Sequence, residues 1–146
     1  MSSNQTDTTD VSMITLQQAN INIRKKSVID FSKLIFTDEE NTIIRKEVEV
    51  IKEKYPNYIP IVVRPNDNKI KLIKCKFLVG GDITIGQFLS ILRRKMENLK
   101  SSEAIYLFIN NSLPTATSSL STIYTENQDK NTGMLYITVC KENTFG

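Results

Sequence analysis

Residues 74–99 read KCKFLVGGDITIGQFLSILRRKMENL, and the order of the fold follows from this stretch. Its first six residues alternate with period two. Lys74, Lys76 and Leu78 face one way and Cys75, Phe77 and Val79 the other, as in a strand buried on one face. Gly80-Gly81-Asp82 turns the chain. Thr84-Ile85-Gly86-Gln87 then has the form of a capping box, and Ile85, Phe88, Leu89, Leu92, Met96 and Leu99 recur on one helical face. The spacing predicts a long helix over 84–98.

Working outward, Thr37-Asp38-Glu39-Glu40 is another capping box, followed by Ile43, Ile44, Val48, Ile51 and Tyr55 at helical spacing. That helix should stop at Tyr55-Pro56, because a residue before proline avoids the α region. Ile59–Arg64 (IPIVVR) reads as a buried strand and Pro65–Asn68 as a turn. Downstream, Ile105–Ile109 (IYLFI) reads as a central strand and Asn110-Asn111 as a turn. Ser118-Ser119 caps a short helix bearing Leu120, Ile123 and Tyr124, and Leu135–Val139 (LYITV) is a last strand. The order helix, strand, strand, helix, strand, short helix, strand does not give the βαββαβ order of ferredoxin-like folds. It fits an α+β ubiquitin-like β-grasp, a four-stranded mixed sheet around a central helix, with an added N-terminal helical region. The organisation expected is a flexible polar tail over 1–27 and a domain over 28–146. The domain divides into N-terminal helices (28–57), a β-grasp core (58–140) and a polar C-terminal tail (141–146). Within the N-terminal tail, Ile14, Leu16, Ile21 and Ile23 form a brief candidate docking segment.

Composition narrows the chemistry. The 146 residues contain no histidine, which removes Ser-His-Asp and Cys-His nucleophilic sites and His-based zinc sites. Cys75 and Cys140 form no CxxC pair, and both are expected as small buried strand residues. No catalytic constellation is visible, no metal or cofactor is called for, and no enzyme is expected. Net charge is +3, with residues 1–23 carrying −2 and the remainder +5. That mild basicity suits acidic peptides or an anionic membrane surface. It falls short of a nucleic-acid-binding stripe, and Arg93-Arg94-Lys95 lacks the interleaved aromatic residues such binding uses. No apolar run approaches the roughly 20 residues needed to span a bilayer. Without a leader pattern at residue 1, the expected compartment is the reducing cytosol.

Two features carry functional weight. A terminal glycine, Gly146, has no Cβ, so a narrow channel in a partner enzyme can admit its carboxylate. Lys69, Lys71, Lys74 and Lys76 lie on or near a sheet edge, where they guard against aggregation or meet an acidic extended peptide.

From about Ile44 to Gly146 the chain resembles the autophagy-8 family of ubiquitin-like modifiers, the GABARAP and microtubule-associated light-chain-3 group. The resemblance is carried in collinear order by Glu53-Lys54-Tyr55-Pro56 with Ile59-Pro60-Ile61-Val62, Lys76-Phe77-Leu78-Val79 and Asp82–Phe88 (DITIGQF). It continues through Arg93-Arg94-Lys95, Ala104–Thr115 (AIYLFINNSLPT), Ile123-Tyr124, Leu135-Tyr136-Ile137 and Glu142-Asn143-Thr144-Phe145-Gly146.

The resemblance implies a modifier activated by E1-like and E2-like conjugation enzymes and joined through Gly146 to phosphatidylethanolamine. Thr144 and Phe145 would be read by a processing cysteine protease and by the conjugation enzymes. It implies a cytoplasmic protein that moves to the autophagosomal membrane when lipidated. It also implies a groove on the Lys74–Val79 strand for short aromatic-x-x-aliphatic peptides of autophagy receptors. The aromatic pocket maps to Glu47, Ile51, Pro60, Val62, Lys74, Lys76, Leu78 and Met134, and the aliphatic pocket to Phe77, Val79, Ile83, Phe88 and Ile91. Gly80, Phe77, Met134, Tyr58 and Cys75 stand where the family commonly has Pro, Tyr, Phe, Arg and a basic residue. An unconjugated β-grasp adaptor binding peptides or microtubules in solution is the alternative; no nucleic acid is expected.

Overall fold

The computed structural model describes residues 29–66 and 68–141, together with the backbone of Met13–Ile14. Both capping boxes form as the local sequence dictates. The Thr37 hydroxyl accepts from the Glu40 N–H (3.0 Å) while the Glu40 carboxylate accepts from the Thr37 N–H (2.9 Å). This exchange starts α1, Asp38–Lys54, whose buried side is Ile44, Val48 and Ile51. At Thr84 the same exchange with Gln87 starts α2, Ile85–Arg93. A third, shorter helix, α3 (Leu120–Asn127), is capped by Ser119.

The strands are β1 (Met13–Ile14), β2 (Tyr58–Pro65), β3 (Lys71–Leu72), β4 (Lys76–Gly80), β5 (Met96–Glu97), β6 (Ile105–Phe108) and β7 (Leu135–Lys141). Four of them make the expected mixed sheet in the order β4-β2-β7-β6, with β2 and β7 parallel and the outer pairs antiparallel. β1 adds a short fifth strand on the free edge of β4. β3 and β5 pair separately.

Strand alternation gives the sheet two buried faces. Ile59, Ile61 and Val63 of β2, Phe77 and Val79 of β4, and Leu135, Ile137 and Val139 of β7 pack with Phe88, Ile91 and Leu92 of α2 in the main core. The rings of Phe77 and Phe88 meet edge to face at 5.5 Å. The other face is covered by α1. There Val62 and Met134 pack with Ile44, Val48 and Phe31, and Leu78 packs with Ile51, Tyr55 and Tyr58.

The structure differs from the sequence reading in four places. Ile105–Phe108, expected as a central strand, is the edge strand β6, paired with β7 on one side only, because its alternate residue Tyr106 faces solvent. α2 ends at Arg93, short of the expected 98, because the chain beyond it is taken by another strand. The Ile73 N–H bonds the Lys95 carbonyl (2.7 Å), Met96–Glu97 pairs with Lys71–Leu72, and Asn98 turns with φ 61°. Met96 still reaches the main core, but from β5. Cys75 is exposed and lies between strands, and Cys140 is half-buried on β7, so neither is the buried strand residue expected. Among the described residues of 28–57 the helix is α1 alone, and residues 29–37 carry turns, bends and irregular chain. The expected tail over 1–27 lies outside the described residues except at Met13–Ile14, which are strand. Residues 142–146, including Thr144, Phe145 and Gly146, also lie outside them.

Candidate functional site

The candidate site is built along β4, where the sheet meets α1 on one face and α2 on the other. The Val63 N–H bonds the Cys75 carbonyl at 2.8 Å. In an antiparallel ladder successive residues turn their backbone groups to opposite sides. The N–H and C=O groups of Phe77 and Val79 therefore face β2, and those of Lys76, Leu78 and Gly80 face the outer edge. Pro60 stands opposite Leu78, so its missing N–H removes no bond to β4.

On the α1 face the residues assigned to the aromatic pocket come together in two adjoining clusters. Val62 and Met134 belong to one, and Ile51 and Leu78 to the other; Pro60 is buried, in register with Leu78. Glu47 projects from α1 toward this region. Burial pushes its carboxyl pKa up, the nearby Lys76 ammonium acts against that rise, and one carboxylate oxygen is buried without a hydrogen-bond partner. Lys76 is half-buried, with its ammonium 4.9 Å from the Phe31 ring centroid, a cation–π distance. Lys74 lies in the loop before β4 and is half-buried.

Sequence reasoning missed Phe31. Only 7% exposed, its ring packs among Ile44, Val48, Val62 and Met134. It meets Phe36 edge-on at 5.9 Å, and its carbonyl accepts from Arg64 Nε (3.0 Å). Arg64 in turn lies 4.2 Å from the Tyr136 ring centroid, and burial lowers its pKa from the usual value. The signal that would have found Phe31 is its spacing: Asp30-Phe31-Ser32-Lys33-Leu34 places an aliphatic residue three positions after an aromatic one.

On the α2 face, Phe77, Val79, Phe88 and Ile91 are buried together in the main core, and Ile83 packs half-buried against them. A peptide side chain entering there has to displace packed side chains. The cleft of about 780 Å³ lined by Lys52, Tyr58, Gly80, Gly81, Asp82 and Tyr124 lies at the Gly80 end of β4 and includes none of the expected pocket residues. Burial lowers the pKa of Lys52, whose ammonium lies 4.6 Å from the Tyr124 ring centroid. Among the described residues no group of three or more His, Cys, Asp or Glu side chains is placed to hold a metal ion, and no helix is long and apolar enough to cross a membrane.

Comparison with known proteins gives a consistent result. The family described as "Autophagy protein Atg8 ubiquitin like" matches residues 43–146. Autophagy-related protein 8c of Arabidopsis thaliana is 40% identical over 111 residues, 73% of this chain and 92% of that protein. Autophagy-related protein 8 of Dictyostelium discoideum is 42% identical over 105 residues, 70% of this chain and 85% of that protein. The crystal structure of Trypanosoma brucei ATG8 superposes with a TM-score of 0.66 at 29% identity, covering 82% of this chain and all of that one.

Proposed function

Since the chain belongs to the Atg8 family of ubiquitin-like autophagy proteins, we propose that it acts as a lipid-anchored adaptor, joined through Gly146 to phosphatidylethanolamine and binding receptor peptides along β4. ATP first converts the Gly146 carboxylate to an adenylate with release of pyrophosphate. A thiol of the E1-like enzyme displaces AMP to form a thioester, and the acyl group passes to a thiol of the E2-like enzyme. The ethanolamine amine displaces the thiol and forms the amide. Two acyl chains then supply the stable anchoring that one chain does not give.

The observation that carries the groove is the state of the β4 edge. Its outward backbone groups already accept a strand, Met13–Ile14, so the edge has the geometry that β-strand addition needs. Lys76 sits at that edge, with Lys74 just before it, and cationic groups there favour peptides with acidic flanks through encounter rate and specificity. The Val62–Met134 and Ile51–Leu78 clusters would receive the aromatic side chain, and the Phe77–Phe88 side of β4 the aliphatic one.

The intact mass of the protein recovered from membranes of cells with autophagy induced tests the conjugation, with Gly146→Ala measured beside it. A mass gain matching phosphatidylethanolamine is expected with glycine alone. No gain with glycine, or an equal gain with alanine, overturns the conjugation and leaves the unconjugated peptide-binding adaptor. For the groove, Lys76→Glu should weaken binding of an acidic aromatic-x-x-aliphatic peptide, and unchanged binding would count against it.

A further inference from the structure

Two separate parts of the N-terminal region lie on the residues just assigned to the peptide groove. The first is Phe31. Its buried ring packs against Val62 and Met134 and lies under the Lys76 ammonium, three residues expected to receive a peptide's aromatic anchor. The second is Met13–Ile14, which runs antiparallel along β4 with Met13 opposite Val79 and Ile14 opposite Leu78. Leu78 is one of the residues whose backbone groups face outward, so Ile14 stands at a hydrogen-bonded position and uses the groups that an incoming strand would need.

We propose that the N-terminal region is an intramolecular ligand of the β4 groove, with Phe31 as its anchor and Met13–Ile14 as its added strand, so that an incoming peptide binds only by displacing it. The proposal rests on reading β4 and its flanking clusters as a peptide groove. The chemistry of the occupant fits. Asp30 precedes Phe31, and Leu34 follows three residues after it, the pattern expected of the peptides themselves. Leu34 is 78% exposed, so this self-ligand seats its aromatic residue and leaves its aliphatic one unseated. A peptide that seats both has an advantage over it. The self-ligand's advantage is its covalent tether, which holds it at a high effective concentration whatever the protein concentration. Apparent peptide affinity is then reduced by the fraction of molecules in which the groove is open.

The test uses the full chain and a short fluorescein-labelled peptide with the core Asp-Asp-Trp-Ser-Ser-Leu, read by fluorescence anisotropy. Phe31→Ala empties the aromatic site. The double substitution Met13→Pro with Ile14→Pro removes the Ile14 N–H, which stands at the hydrogen-bonded position opposite Leu78, and leaves Phe31 itself unchanged. Each variant should bind the peptide at least about fivefold more tightly than the wild type, the ratio for a groove closed in about four molecules of five. The Leu78 amide should also exchange with solvent faster in the proline variant. Equal affinity in all three proteins, or unchanged exchange at Leu78, overturns self-occupancy and leaves the groove intact. Absence of binding to any of the three is a different failure: it overturns the groove reading itself and the self-ligand role with it.

Discussion

Gly133 joins the end of the α3 segment to β7, and replacing it with alanine tests how tightly α1 is seated on the sheet. Its φ is +81°, a left-handed conformation that costs an L-residue about 1–2 kcal/mol. A Cβ built there lies 3.0 Å from Val48 Cγ1, on the buried side of α1. The backbone is pinned on both sides. The Gly133 N–H bonds the Asp129 carbonyl (2.7 Å), and its own carbonyl accepts from the Tyr124 hydroxyl (2.6 Å). The strain is not relieved by a swing of the loop, so the Val48 side chain has to give by a few tenths of an ångström, at an overpacking cost of about 1–3 kcal/mol. Together these predict that Gly133→Ala lowers stability by about 2–5 kcal/mol, a large share of the 5–15 kcal/mol usual for a domain. Urea unfolding followed by far-UV circular dichroism measures it. Repeating the measurement with Val48→Ala isolates the clash: Val48→Ala should cost about 1 kcal/mol less when the new methyl is present at position 133 than when glycine is there. A loss below about 0.5 kcal/mol for Gly133→Ala, or an equal cost of Val48→Ala in both backgrounds, would refute the reasoning.

Thr37→Ala removes the hydroxyl that accepts from Glu40 and should cost about 1 kcal/mol in urea unfolding, with the loss confined to α1 in amide exchange. Phe88→Ala deletes a fully buried ring stacked edge-on against Phe77, and should cost about 3–5 kcal/mol by the same assay. Glu47 gives a pH dependence. Its folded-state pKa is raised by burial, so the folded protein holds this proton more tightly than the unfolded chain, and stability from this group falls as pH rises from the ordinary glutamate range through the raised folded-state value. Glu47→Gln should therefore gain stability relative to wild type on going from about pH 4 to pH 7; a difference that stays constant or moves the other way sinks that account.

The parts of the fold legible in the sequence were those set by neighbours in the chain. A threonine followed three residues later by Glu or Gln satisfies its own helix end, so Thr37 and Thr84 marked where α1 and α2 begin. Alternation along Lys76–Val79 separated Leu78 from Phe77 and Val79, and the structure covers the first face with α1 and the second with α2. The candidate pocket residues came from the family resemblance alone, and the apolar ones among them, Pro60 apart, lie in the clusters on the two faces of β4.

What tertiary structure alone decided involves partners far apart in sequence. The helical spacing of Met96 with Leu92 is real, yet Lys71–Ile73 captures the backbone of residues 95–97 and ends α2 early. Cys75 has strand-like neighbours, but β4 begins one residue after it and leaves it exposed. The Phe31–Leu34 spacing and the apolar Ile14 mark segments that can dock, but nothing local says where either one lands. Phe31 reaches Val62 and Met134 only because α1 and the sheet bring that face to it, and Met13–Ile14 finds β4 only because that edge is free. Helix starts and strand faces are decided within a few residues by hydrogen bonding and side-chain period. Which segment ends a helix or fills a groove depends on competition among distant surfaces, and that is settled only when the whole chain packs.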